Sequence, residues 1–201
     1  MSIILPFRRI IPVSRPPVTP GSASYTTPGT YSLVIPEFNS LGLDVRGAGG
    51  GGQGAPGWVG FNGANSGGVG GNGGYSQVYL QQDSGLLNVV GYGGQGGQVG
   101  ATGTYGTGQG GDQNITGGGS PGGSGGYLAG GDPTIYSSNG GYGGRATRNQ
   151  PYGLVLPGMT LIIIVGAGGP PGANGTLNTP FPFYQVSANY GGAGAVYLSW
   201  S

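Results

Sequence analysis

The sequence predicts a mainly β protein: an antiparallel, sandwich-like framework of strands holding packed glycine-rich segments in the polyproline or polyglycine II conformation, with essentially no helix. Three observations predict it. Glycine falls on every third residue in four blocks: at 91, 94, 97, 100, 103 and 106; at 51, 54, 57, 60 and 63; at 67, 70 and 73; and at 166, 169, 172 and 175. Between the blocks lie short β-branched and aromatic runs with the period of a strand. No stretch carries a helical pattern.

A period of three belongs to neither an α-helix nor a strand. Polyproline II has it, as a left-handed helix without internal hydrogen bonds. Burying such a helix requires outside partners for every N–H and C=O, and only glycine lets neighbouring backbones come close enough to supply them. A stack of glycine-faced helices bonded to one another is therefore expected. Gly-Gly-X runs such as 67–74 have two bare faces and point to an interior helix, whereas Gly-X-X runs such as 51–63 and 97–106 have one and point to an outer layer. At ~3.1 Å per residue the run 51–63 would span roughly 40 Å.

Residues 1–21 read as an arm. Ile3, Ile4, Leu5, Phe7, Ile10, Ile11 and Val13 are threaded with five prolines and with Arg8, Arg9 and Arg15; that density of proline forbids a helix and favours extended chain. The apolar content, high for a solvated tail, predicts docking into a partner protein as an extended peptide. Residues 22–201 then form a single glycine-rich domain.

From residue 22 the period is two. Strands are expected at 24–26 and 31–35, flanking a Pro28-Gly29 turn, with Pro36 ending the second. Leu41, Leu43 and Val45 alternate with Gly42, Asp44 and Arg46 as a half-buried strand does. Further strands are expected at 75–80, 86–90, 154–156, 159–165 after a Pro157-Gly158 turn, and 195–200. At Val45, Val89-Val90 and Ile164-Val165 a β-branched strand end hands over directly to Gly-X-Gly-Gly, so this junction is used three times. The segments 112–116, 127–139, 145–152 and 176–190 are rich in Asn, Ser, Thr, Pro and Tyr and read as surface tips.

The order Pro28-Gly29-Thr30-Tyr31, then Pro36, then Gly47-Ala48-Gly49-Gly50-Gly51-Gly52, then Pro157-Gly158 leading to Ile164-Val165-Gly166-Ala167-Gly168-Gly169, and finally Gly191-Gly192-Ala193-Gly194-Ala195-Val196 resembles the glycine-rich domain of tailed-bacteriophage and prophage virion proteins, found in tail fibres and related appendages. The resemblance covers residues 23–201. The triplet blocks are also similar to distal adhesins of phage long tail fibres, whose stacked polyglycine II helices carry variable loops that touch the host, and to small glycine-rich antifreeze proteins.

Composition narrows the chemistry. With 53 glycines and 16 prolines in 201 residues, an aperiodic chain would read as disordered; the triplet phase argues otherwise, and its breaks fit collagen poorly. No cysteine is present for a disulfide or thiolate site, and neither histidine nor lysine occurs. Six arginines face five acids with no basic patch beyond the arm, so no nucleic-acid partner is expected. No apolar run approaches the ~20 residues of a membrane span, so no membrane insertion is expected. The start is broken by Pro6, Arg8, Arg9 and Pro12 and does not read as a secretory signal.

Gly47 to Gly52 satisfies G-x-G-x-x-G, but no helix follows and no lysine exists for a phosphate loop. A histidine triad or base is excluded. Glu37, Asp44, Asp83, Asp112 and Asp132 sit in unlike contexts and read as turn and surface residues rather than a glycosidase pair; Gly110-Gly111-Asp112 lacks the repeated Asp of a calcium nonapeptide. No catalytic residue, cofactor or metal is expected. Trp58 and Phe61, on one edge of a triplet helix, are expected to pack between stack and sheet or into a sister subunit. Tyr105 and Tyr142 are placed in or near tips, as are Tyr127, Tyr136, Phe181, Phe183 and Tyr184, and these last five are the candidate receptor contacts, suited to sugars or protein surfaces.

The expectation is a non-enzymatic virion structural protein of a tail fibre, tail tip or appendage, involved in host attachment. It would be held to other virion proteins by Ile3, Ile4, Leu5, Phe7, Ile10 and Ile11, would contact a host glycan or protein, and would form a symmetric homo-oligomer. A capsid decoration or head-fibre protein and an ice-binding protein are the alternatives.

Overall fold

The computed structural model describes residues 16–60, 63–130 and 134–201. The arm positions Ile3, Ile4, Leu5, Phe7, Ile10 and Ile11, together with Phe61 and Asp132, lie outside the described residues.

Sixteen strands follow one another. The first eight are β1 (Gly21–Tyr25), β2 (Gly29–Val34), β3 (Ser40–Arg46), β4 (Gly57–Val59), β5 (Ala64–Asn65), β6 (Ser76–Leu80), β7 (Asn88–Gly91) and β8 (Gly108–Gln109). The rest are β9 (Gln113–Ile115), β10 (Tyr127–Ala129), β11 (Ile135–Tyr136), β12 (Arg145–Pro151), β13 (Thr160–Val165), β14 (Leu177–Asn178), β15 (Tyr184–Val186) and β16 (Ala195–Trp200). Among the described residues there is no helix.

Two five-stranded antiparallel sheets, ordered β1-β16-β3-β12-β9 and β2-β13-β6-β7-β8, face each other as a sandwich. Strand alternation explains the core. Leu41, Leu43 and Val45 of β3 and Leu161, Ile163 and Val165 of β13 point inward and are buried, while their neighbours are half-exposed. Val78, Leu80, Leu87, Val89, Val196, Leu198 and the fully buried Phe38 complete the layer. Burying each Leu, Ile or Phe contributes roughly 1.5–3 kcal/mol.

Above the sandwich stand eight extended ribs: 47–56, 66–75, 92–97, 102–107, 119–126, 137–144, 166–176 and 187–194, numbered 1 to 8 in that order. Rib 1 is the axis. Its N–H groups rotate through three neighbours: Gly47, Gly50 and Gln53 donate to Gly144, Gly141 and Ser138 of rib 6, Ala48, Gly51 and Gly54 to Gly74, Gly71 and Gly68 of rib 2, and Gly49 and Gly52 to Gly192 and Asn189 of rib 8. Its carbonyls rotate through the other three. Gly47, Gly50 and Gln53 accept from Ser120, Gly123 and Gly126 of rib 5, Ala48 and Gly51 from Gly94 and Gly97 of rib 3, and Gly49, Gly52 and Ala55 from Gly169, Gly172 and Gly175 of rib 7. These bonds measure 2.8–3.1 Å. Three neighbours served per turn is what a three-residue helix demands, so rib 1 is a polyglycine II helix at the centre of a hexagon.

The hexagon closes on itself in the order 2, 3, 6, 5, 8, 7: Gly73 N–H donates to Gly94, Gly144 to Tyr92, Gly140 to Gly123, Gly192 to Pro121, Gly191 to Gly169 and Gly71 to Pro170. Rib 4 lies outside it against ribs 3 and 6, through Gln95 to Thr104 and Gly106 to Tyr142. Glycine is obligatory where ribs touch: a Cβ on Gly50 would stand 2.1 Å from the Gln95 carbonyl oxygen, and one on Gly51 1.9 Å from that of Pro170.

Every rib continues a sandwich strand. Ribs 1, 3, 5 and 7 leave β3, β7, β9 and β13, and ribs 2, 4, 6 and 8 lead into β6, β8, β12 and β16. The expected direct hand-over from strand to rib is present at ribs 1, 3 and 7; rib 5 leaves β9 through a turn at 116–117, where Gly117 takes φ +69°, and the other four ribs run the opposite way, from rib to strand.

Several expectations are corrected. The six-step glycine run 91–106 is two antiparallel ribs, because the chain reverses at 98–101, where Gln98 bridges Ala101 and Gly100 takes φ +77°. The run 51–63 leaves the helix after Pro56 to form β4, so the axial rib spans about 30 Å rather than 40 Å. The layer assignment holds for 97–106, whose second half is the outer rib 4, but is inverted for the other two runs: 47–56 is the buried axis, and 67–74 is peripheral, with Val69 exposed. Residues 154 and 155 form a bend and 156 has no regular structure, so no strand lies there. Residues 113–115 and 145–151 are sandwich strands rather than tips, β12 being paired along its whole length with β3. Positions 187–190 belong to rib 8.

A candidate binding surface at the distal end

Alternate ribs run in opposite directions, so the chain folds as four rib hairpins whose tips share one end of the molecule. The tips are 57–65, 98–101, 127–136 and 177–186. β1 enters the sandwich at the other end, since Gly21 pairs with Trp200 at the rib-distant end of β16.

Three of the tips are tied by small sheets. β14 pairs in parallel with β4, which pairs with β5, and β10 is flanked by β11 and β15. The Gln185 amide anchors the fourth tip by donating to the carbonyls of Pro56 and Gly175, at 2.8 and 2.7 Å. Asn174 Oδ1 accepts from Ala55 N–H and its Nδ2 donates to Ser187 Oγ.

All five predicted contact residues lie at this end. Tyr127 and Tyr136 are directly opposite across β10 and β11, ring centroids 5.6 Å apart. Phe181 and Phe183 are 5.8 Å apart, and Tyr184 begins β15 with its side chain exposed. The pairing of Tyr127 with Val186 and Ala129 with Tyr184 puts Tyr184 on the same face of this small sheet as Tyr127 and Tyr136. Trp58 joins them. It lies in β4, 5.1 Å from the Phe183 ring, with Nε1 donating to Gly60 O, so it packs within the tips and not between stack and sheet as expected. Tyr105 and Tyr142 move the other way: they stack edge to face at 5.8 Å on the flank of the ribs, between ribs 4 and 6.

Gln53 is the residue the sequence reading missed. Rib 3 turns back one turn early, and the Gln53 side chain fills the vacated place, donating from Nε2 to Gly67 O and accepting at Oε1 from Ser138 N–H, both at 3.2 Å. The Gly54 carbonyl, next in line for rib 3, is served instead by Ser137 Oγ. The signal available was one long polar side chain in a run otherwise free of them, Gly47 to Pro56.

Charge is segregated from this end. None of the described residues of the ribs or tips is Asp, Glu, Lys or Arg. The ionic cluster sits on the sandwich, where Asp44 accepts from Arg46 and Arg145 at 2.8 Å each and the Arg46 guanidinium lies 4.9 Å from the Tyr197 ring centroid. Burial pushes the Asp44 carboxyl up, but the bonds from Arg46 and Arg145 outweigh it and hold the group below its ordinary range. Asp44 and Asp112 line one groove on the outer face of the first sheet, yet Asp112 accepts from Asn149 N–H and Asp44 is held ionised, the opposite of what a general acid needs. No group of three metal-ligating side chains occurs among the described residues.

No family model matches the chain, and no curated protein is significantly similar to it.

Proposed function

We propose that this chain is a non-enzymatic structural protein of a tailed-bacteriophage virion, a tail-fibre, tail-tip or appendage component that presents its four tips to the host surface. The observation that carries this reading is the polarity of the molecule. The chain enters a charged sandwich at one end, a bundle of mutually bonded ribs acts as a spacer, and loops whose described residues are uncharged and rich in aromatic rings stand at the other end. Loops on a rigid scaffold are where binding residues concentrate. The arm, with Ile3, Ile4, Leu5, Phe7, Ile10 and Ile11, precedes the end opposite the tips and is the proposed attachment to other virion proteins, in a symmetric homo-oligomer.

The ice-binding alternative asks for a flat, regular flank. Tyr75, Tyr92, Tyr105, Tyr142 and Tyr190 are exposed along the ribs and break such a plane. Electron microscopy of phage particles labelled with antibody to this chain tests the proposal. Label on a tail appendage, with the purified protein blocking adsorption to the host, is the expected result. Label on the capsid supports the decoration reading instead, and thermal hysteresis in the purified protein supports the ice-binding one.

A further inference from the structure

At the tip end the hexagon around rib 1 is one neighbour short. Ribs 3 and 4 turn back at 98–101, whereas the other three hairpins run on into strands. The missing turn leaves a notch of about 170 Å³ whose lining includes Asn65 of the first tip and Ser66 at the start of rib 2, Val99 of the short turn, Tyr136 of the third tip and Ser138 of rib 6, and the Gln53 amide.

Size comes first. At about 30 Å³ per water molecule, the notch holds the volume of about five or six waters, which is that of one pyranose ring. Charge comes second. Among the described residues that line the notch none is Asp, Glu, Lys or Arg, so an ionic ligand would lose its hydration without meeting a counter-charge from them. A neutral polar ligand faces no such cost, because the hydroxyls of Ser66 and Ser138 make no hydrogen bond to any described residue and are free to donate and accept.

The wall is the third feature. Tyr136 is 74% exposed, and its ring is steadied by Tyr127 across the strand pair without being covered. An aromatic ring supplies apolar area at small entropic cost, and it suits the C–H face of a sugar whose hydroxyls bond elsewhere. The Gln53 amide already uses both of its polar ends inside the bundle, so it forms a fixed surface rather than an adaptable one. A rigid site loses little freedom on binding.

We infer that this notch binds one neutral hexose unit of a host-surface polysaccharide. The inference rests on the reading of the tips as host-contacting and names the ligand class of that surface. Uncharged contacts imply an affinity that does not change with ionic strength.

The test titrates the full chain with glucose, galactose, mannose and glucuronate, following tyrosine resonances by NMR at about 0.05 and 0.5 M salt. Saturable binding of at least one neutral hexose, equal at both salt concentrations, with none for glucuronate, is expected. Tyr136→Ala should weaken it about tenfold, equivalent to about 1.4 kcal/mol. Tyr136→Ala also removes a contact inside its own tip, so Val99→Trp is the independent variant: Val99 is 59% exposed on a different tip, and the larger side chain should fill the notch and abolish binding. No saturable hexose binding, preference for glucuronate, or binding that survives both variants would overturn the inference. Host adsorption separates this from the wider reading: a chain that blocks adsorption but binds none of the hexoses sinks the notch and leaves the tips as the contact surface.

Discussion

Gly50 shows how little tolerance the bundle has. Its hydrogen lies where a methyl carbon would meet the Gln95 carbonyl oxygen at 2.1 Å, and both backbones are held by bonds on every side, so neither yields. Gly50→Ala should cost about 3 kcal/mol or more, at or above the upper end of what overpacking a core usually costs, because neither backbone can move away. Gly85→Ala, where a Cβ meets nothing closer than the Asp83 carboxylate at 3.1 Å, should stay within about 0.5 kcal/mol. Urea denaturation of the two variants checks the pair. Asp44 makes a different residue-scale prediction. Its folded pKa is depressed, so its contribution is present above the ordinary carboxylate range and is lost as pH falls through the folded value. Asp44→Asn should destabilise by about 2 kcal/mol at pH 7, and the difference from the parent should vanish in acid; a gap that persists at pH ~2 would contradict the ion-pair assignment.

At the level of elements, the sequence showed ribs and strands by their periods but not where a rib reverses. Glycine is permitted in a left-handed turn as readily as in the rib itself, so Gly100, at φ +77°, sits in phase with the run it interrupts. The same ambiguity carried 51–63 past Pro56. Burial was misjudged because it follows from neighbours, not from how many faces are bare: Gln53 is accommodated on the central rib by the place that rib 3 leaves when it turns back. β12 was misread because Arg145, Thr147 and Asn149 face outward while the inward positions are Ala146, Arg148 and Gln150, opposite Val45, Leu43 and Leu41, which leaves no apolar alternation to read. The tip aromatics were legible as loop residues, whereas the partnership of Trp58 with Phe183 depends on chain reversals far apart in sequence. That contact predicts that Trp58→Ala loosens residues 177–186 by about 1 kcal/mol while leaving the ribs unchanged. Limited proteolysis checks it, and cutting confined to the fourth tip is the expected pattern.

The described residues separate their tasks along one axis: apolar core and charge at the base, backbone hydrogen bonds in the middle, aromatic and neutral polar side chains at the tips. β1 is paired with β16 from Gly21 onward, so the sheet it edges is closed by residues that follow the arm. Deleting residues 2–20 should therefore leave a folded protein that no longer joins its particle; loss of folding, read by thermal melting, would contradict this division. Everything distal depends on the ribs acting as one body. Hydrogen–deuterium exchange of the rib 1 amides, Gly47 to Gly54, tests that most directly. Each donates to a neighbouring rib at 2.8–3.1 Å, so their exchange should be as slow as that of the core strands β3 and β13. Exchange at the rate of free chain, with the sandwich still protected, would mean that the ribs do not hold one another.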